Sequence, residues 1–423
     1  MLKQWTKGLA RAAGSLVLAA AVLAGPWAAG SVSAQAGGKP ASDTYVIVTL
    51  GDSLTVGYEP GMNVSSKPYG FVDRLLEQGL LHGRTEVVNL GIAGLKTGGL
   101  DNYVQAITDE RAITADGIQA GISDPRTGQI GREAAKAKAV IAEADLITIT
   151  IGGNDMFELT KTAGSLNSEQ LTGRIQELFQ QYTTNVSRVV NNLHSISPEA
   201  EIILADQYNP IPQLADKAAY PKLLEASAAF TAHVEGLAKE FSQNGIQVTV
   251  APVAKEFVGN EMTMTHILKY EDIHPTQYGY ETMARVFANS IWGSYTKPEA
   301  VEAGHPMAII VSGKTLNTPY KPVLVKNQNF VAVQDIVNAV GAKTVWSNKT
   351  SSATVTYGDK TVVITMGAKT VKVNGKSVSI NTPAFLHKVG KEHKTYVPLA
   401  VLAEGLGFDV QYNAKLRTVF INP

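Results

Sequence analysis

The sequence predicts an α/β domain built on a parallel sheet covered on both faces, followed by a small pseudo-duplicated α+β module. Three observations carry this reading. Apolar runs and helical stretches alternate five times between Thr44 and Tyr295. Those runs are continuous and β-branched, the pattern of strands buried on both sides, where a half-exposed strand would alternate apolar with polar. After about Met307 the texture changes to short Val, Thr, Ile and Tyr runs split by Gly and Asn.

The chain has 423 residues, enough for two or three domains. Residues 1–34 read as a secretory signal. Lys3, Lys7 and Arg11 form the basic region, Leu16 to Ala24 the apolar region, and Ser31-Val32-Ser33-Ala34 a small-residue cleavage site. The apolar stretch is short and interrupted by Pro26, which argues against a stable membrane span. A Gly/Ala/Pro/Ser-rich lead-in follows over 35–43.

The first domain is expected over residues 44–295. Tyr45–Leu50 is a strand, Phe71–Leu80 a helix with Phe71, Leu75 and Leu76 at helical spacing, and Glu86–Leu90 a second strand. Residues 98–130 give no clear pattern beyond the turn Asp124-Pro125-Arg126-Thr127-Gly128. An Ala-rich helix over Glu133–Ala144 leads into the strand Leu146–Ile151. Then come a long helix near Ser168–Leu193, a strand at Glu201–Ala205, a helix at Tyr220–Asn244, a strand at Gln247–Ala251 and a last helix at Gln277–Trp292. A polar stretch punctuated by proline, residues 296–306, reads as a linker.

In residues 307–423, Val371–Val378 carries a hairpin signal with Asn374-Gly375 as its two-residue turn. There is also an internal echo. Phe330-Val331-Ala332-Val333, Val340-Gly341 and Trp346 recur as Tyr396-Val397-Pro398-Leu399, Leu406-Gly407 and Tyr412, offset by about 66 residues. Each copy reads as a strand, a short helix ending near Gly, and a hairpin strand. His387 and His393 fall in what reads as a polar, solvated loop. This part resembles the copper amine oxidase N-terminal-like domain, and the resemblance implies neither copper nor oxidase chemistry here.

Composition removes several function classes. Lys+Arg and Asp+Glu both number 37, so no bulk charge points to nucleic acid or an anionic membrane. The absence of cysteine removes disulfides, thiolate nucleophiles and Cys-based zinc sites. After the leader no Gly-x-Ser-x-Gly elbow occurs, no His-Glu-x-x-His, and neither Gly313-Lys314-Thr315 nor Gly375-Lys376-Ser377 has the upstream Gly of a phosphate loop.

The residues that could do chemistry sit at strand ends. Gly51-Asp52-Ser53-Leu54 puts a small hydroxyl at the carboxyl end of the first strand, the edge where ligands collect in open α/β sheets. A nucleophilic Ser needs a base, a group that orients the base, and donors for the oxyanion. His266 is also possible as the base, but His274 is the best. In Glu271-Asp272-Ile273-His274-Pro275, acids precede it, and the following proline keeps it off a helix. Asn89–Gly94 follows the second strand and Gly152-Gly153-Asn154-Asp155 the third, so Gly94 and Asn154 offer a backbone N–H and an amide N–H at the same rim.

These four blocks, in this order, resemble the SGNH (GDSL) hydrolase family, and most of all its secreted lysophospholipase-like members. The resemblance spans about Thr44–Tyr295. It implies a flavodoxin-like three-layer α/β/α sandwich. It also implies Ser53 as nucleophile, His274 as base, and an oxyanion hole made by the N–H groups of Ser53 and Gly94 and the side chain of Asn154. No metal and no cofactor is implied. The family acid commonly lies three residues before the His, which is Glu271; Asp272 is favoured here as the usual residue type, and Glu271 stays open.

The expected protein is a secreted serine esterase acting on lipid, lysophospholipid or other acyl esters. Its rivals are an O-acetylesterase of extracellular polysaccharide, or a surface-binding protein whose C-terminal module tethers it to cell-wall polymer.

Overall fold

The computed structural model describes residues 44–63, 66–162, 168–215, 217 and 219–423. The signal read over 1–34 and the lead-in over 35–43 lie outside the described residues. The chain divides into two compact units, one of residues up to Leu76 with Glu86–Tyr295, the other of Thr296–Pro423 with Glu77–Thr85. Residues 296–306, expected as a linker, fall in the second unit, as does Glu77–Thr85, expected in the first domain.

The first unit is organised by five strands: β1 (Tyr45–Gly51), β2 (Thr85–Gly91), β3 (Leu146–Thr150), β4 (Glu201–Ala205) and β5 (Val248–Ala251). They form one sheet in the order β2-β1-β3-β4-β5. β1–β3, β3–β4 and β4–β5 pair in parallel, with Thr49 opposite Thr148, Ile147 opposite Ile202, and Ile203 opposite Thr249. Because successive side chains point to opposite faces, each strand feeds two cores. Val48, Leu50, Ile147, Ile149, Ile202 and Leu204 pack on one side with the helices Thr97–Thr108, Ala134–Ala142, Ser168–Ile196 and Tyr220–Gln243. Ile47, Leu146, Ile203 and Ala251 pack on the other with Phe71 and Leu75 of one helix and Tyr280, Met283 and Phe287 of Gln277–Trp292. This is the three-layer α/β/α sandwich. No helix among the described residues is long and apolar enough to cross a membrane.

The illegible stretch 98–130 resolves into the helix Thr97–Thr108 and two short helices, Ala115–Ile118 and Thr127–Arg132. Three more short helices, Ala254–Phe257, Glu261–Met264 and Ile267–Tyr270, lead toward the His274 loop.

In the second unit the internal repeat is structural. Gln328–Ala332, the helix Val333–Val340 and the hairpin Lys343–Ser347/Ser352–Tyr357 recur as Glu392–Pro398, Leu399–Gly405 and Asp409–Asn413/Thr418–Asn422. Val331, Val333, Ile336, Val337 and Val340 share one core with their counterparts Val397, Leu399, Leu402, Ala403 and Leu406. The two copies meet where Phe330, Val331 and Ala332 pair antiparallel with Pro398, Val397 and Tyr396. Asn374 and Gly375 both take positive φ, 49° and 81°, the two-residue hairpin turn expected of that dipeptide. The two histidines are a correction: His387 and His393 lie in a paired hairpin, opposite Lys394 and Lys388. Strand residues that face water carry polar side chains, so this segment reads as a loop in sequence.

Candidate active site

Ser53 stands one residue beyond Asp52, where β1 gives way to a single turn of helix, Ser53–Val56. The approach to that turn demands glycine. Gly51 has φ +138°, and a Cβ there would lie 2.1 Å from the Thr150 carbonyl oxygen. The turn is fixed by Asp52, whose Oδ1 accepts from Leu54 N–H at 3.0 Å and from the Thr150 hydroxyl at 3.1 Å. Ser53 is 9% exposed, at the floor of the rim.

His274 reaches it from the far end of the unit's sequence. The Oγ of Ser53 lies 2.8 Å from His274 Nε2, and His274 Nδ1 lies 2.7 Å from Asp272 Oδ1. The same Oδ1 accepts the His274 backbone N–H at 2.8 Å, so one carboxylate oxygen fixes both main chain and ring. The loop is pinned on each side. His266 N–H donates to the His274 carbonyl at 2.9 Å, and Thr276 N–H to Met264 at 2.8 Å. The Tyr208 hydroxyl donates to the Ile273 carbonyl at 2.9 Å. The ring of Tyr58 meets the imidazole edge-on, centroids 4.5 Å apart. Pro275 pairs with Thr265 in a one-residue bridge, and the helix starts at Gln277 as the sequence suggests, with the Thr276 side chain capping Gly279 N–H. Glu271 is exposed and closes the preceding helix in left-handed backbone, φ 54°. The structure thus brings Asp272 to the imidazole. Burial pushes the Asp272 carboxyl up, but its hydrogen bonds with His274 and the charge there outweigh this and hold it below the ordinary range.

The other two predicted blocks are knitted to each other. Asn154 and Asp155 open the helix Gly153–Thr162. Asn154 Nδ2 donates to the Leu95 carbonyl at 2.9 Å, a bond that uses one of its two hydrogens. Asp155 accepts from Thr97 N–H at 3.1 Å and from its hydroxyl at 2.8 Å. Gly94 has φ +79°, and nothing lies within 4 Å of where its Cβ would be. Among the described residues the N–H groups of Ser53 and Gly94 have no acceptor. Two donors with no acceptor and one half-used amide thus lie just past the carboxyl ends of β1, β2 and β3, and donors of these kinds can bind a developing oxyanion. No group of three or more acids and histidines among the described residues could hold a metal ion.

A family model described as the GDSL-like lipase/acylhydrolase family matches residues 49–282, more than half of the chain. The chain belongs to that family. Residues 310–421 match the copper amine oxidase N-terminal domain. The uncharacterized protein YpmR of Bacillus subtilis (strain 168) is 22% identical over 242 residues, 57% of this chain and 78% of YpmR. Among solved structures, the lipase Lip_vut3 from a goat rumen metagenome is 23% identical with a TM-score of 0.40, covering 58% of this chain and 97% of that one. The acetylxylan esterase Axe2 of Geobacillus stearothermophilus, solved as a catalytic mutant, is 16% identical with a TM-score of 0.38, covering 60% and 97%.

Sequence reasoning missed the residues that support this GDSL site: Tyr58, Tyr208 and the polar groups of residues 98–130. It also left Asp52 without a role beyond its block. Burial raises the Asp52 carboxyl to about 6, against the lowering pull of Leu54 N–H and the Thr150 hydroxyl. Between about pH 4 and 6 the folded chain holds a proton that the unfolded chain has released. Stability therefore falls as pH rises through that window and levels off above it. The gap from 3.8 to about 6 is worth roughly 3 kcal/mol. Asp52→Asn should flatten the pH profile of the denaturation midpoint between pH 4 and 6. Wild-type and variant profiles that run parallel there would refute this.

Proposed function

We propose that this GDSL-family chain is a secreted serine ester hydrolase with Ser53 as nucleophile, His274 as general base and Asp272 as the acid that orients it. The observation that carries the reading is the unbroken hydrogen-bonded relay from Ser53 Oγ through both imidazole nitrogens to Asp272. His274 Nε2 takes the hydroxyl proton as Oγ attacks the ester carbonyl carbon. The resulting oxyanion is bound by the N–H groups of Ser53 and Gly94 and by the Asn154 amide, each donor worth about 3–4 kcal/mol of barrier. Collapse expels the alcohol, which receives the proton from His274. Water, deprotonated by the same imidazole, then attacks the acyl-serine, and the carboxylic acid leaves.

The substrates we assign are acyl esters of lipid or lysophospholipid. The second unit is assigned a tethering role toward surface polymer. Secretion rests on the leader in residues 1–34, and protein recovered from the medium should begin at Gln35. The test is a p-nitrophenyl ester series run on the full chain, alongside its retention on purified cell wall. Hydrolysis sustained to octanoate is expected. A rate that peaks at acetate and vanishes by octanoate would shift the assignment to O-acetyl groups of polysaccharide. No hydrolysis of any member would remove the enzymatic reading, and no retention would remove the tether.

A further inference from the structure

The segment Gly91–Thr97, which follows β2 and carries the Gly94 N–H, is hydrogen-bonded along almost its whole length. Gly91 O accepts from Arg126 Nη2 at 3.2 Å. Ile92 N–H donates to Gly51 O at 2.9 Å, and Ile92 O accepts from Leu95 N–H at 3.2 Å. Ala93 N–H donates to Asp124 Oδ2 at 2.9 Å. Leu95 O is taken by Asn154 and Thr97 N–H by Asp155. Two further polar groups of the turn, Gly94 O and Lys96 N–H, go to one side chain. Gln119 Nε2 donates to Gly94 O at 3.0 Å, and Gln119 Oε1 accepts from Lys96 N–H at 2.8 Å.

The peptide that carries the Gly94 N–H is therefore flanked by two immobilised peptides. The one before it is held by Asp124, itself buried and forked to Arg126 with contacts of 2.9 and 2.5 Å. The one after it is held by Gln119. A glycine at positive φ has little intrinsic stiffness, so the direction of its N–H must be set from outside. A donor aimed in advance costs no reorganisation as charge develops in the transition state.

We propose that Gln119 is a positioning residue for the oxyanion donor at Gly94. Its carboxamide clamps the turn at both ends and so fixes where the Gly94 N–H points. Room for it is made by Gly99, where a Cβ would lie 2.7 Å from Gln119 Oε1. Gln119 touches neither Ser53 nor His274 by any hydrogen bond, so it acts on the turn alone. The pair of buried Asp124 and half-buried Arg126 holds the other side of the turn. Removing one partner there threatens the fold itself, which makes Gln119 the informative position.

The inference rests on the ester-hydrolase reading, and the experiment separates the two. Gln119→Ala, Gln119→Glu and Ser53→Ala are compared with wild type in the full chain, using p-nitrophenyl butyrate and a boronic acid that mimics the tetrahedral adduct. Gln119→Ala should lower kcat about tenfold with KM changed less than twofold, and weaken boronate binding by a similar factor. Gln119→Glu places a carboxylate against Gly94 O while ionised, but its protonated form restores the donor. The ratio of its kcat to that of wild type should therefore rise as pH falls through the carboxyl's titration.

Equal loss in kcat and gain in KM, or boronate affinity unchanged in Gln119→Ala, would overturn the positioning role while Ser53→Ala stays inactive. A Ser53→Ala protein as active as wild type would instead overturn the underlying reading. If Gln119→Ala fails to fold by circular dichroism, the pH ratio of Gln119→Glu decides alone, and a flat ratio overturns the proposal.

Discussion

Ser53→Ala is expected to lower kcat on the order of 10⁶-fold while leaving the fold intact. The size follows from the loss of the covalent route, since removing a triad serine costs about as much as removing the whole triad. The fold should persist because, among the described residues, the Ser53 hydroxyl bonds only to His274 Nε2, and the turn it stands on is held by the Asp52 carboxyl group. Rates on a p-nitrophenyl ester, measured beside the thermal midpoint, check both halves. Residual activity above about 1% of wild type would mean another group carries the attack. What remains in a true knock-out is the background of about 10³–10⁴ over water that oxyanion donors and binding supply.

The second large effect separates two neighbouring acids. Asp272→Ala is expected to lower kcat by about 10⁴-fold, the scale seen when the orienting acid of a triad is lost. Glu271→Ala should stay within a few-fold of wild type. The difference is geometric. Asp272 is 7% exposed and bonds the imidazole Nδ1 at 2.7 Å, whereas Glu271 faces solvent at the end of a short helix. Burial raises the Asp272 carboxyl, but its bonds with His274 outweigh this and hold it below the ordinary range, so it stays ionised near neutral pH. Comparable losses in the two variants, or none in either, would remove the assignment.

The strands and the blocks at their ends were legible because each is decided locally. Residues 202–205 are buried throughout, and the unbroken apolar run Ile-Ile-Leu-Ala says so without reference to anything else. The choice between Glu271 and Asp272 was not local, because it depends on how residues 264–266 bridge to 274–276. Residues 98–130 hid for a similar reason. Gly98 and Gly99 open the helix Thr97–Thr108, where propensity argues against one. Gly99 is required there because Gln119 and Leu95 fill the space a side chain would take. Gly131 likewise lets its helix approach the Ile113 carbonyl, where a Cβ would come within 2.2 Å. Asp124-Pro125-Arg126 was visible as a turn, yet nothing in the turn says that its two charges serve the segment after β2.

The doubled strand of the C-terminal half has a consequence for how that half can be shortened. Phe330–Ala332 and Tyr396–Pro398 are each other's inner neighbours in their sheet. A chain ending between them would leave one twin with a raw, apolar peptide edge, open to any similar edge it met. Such a truncation trades a domain for a sticky ribbon, so this half is best removed whole or kept whole.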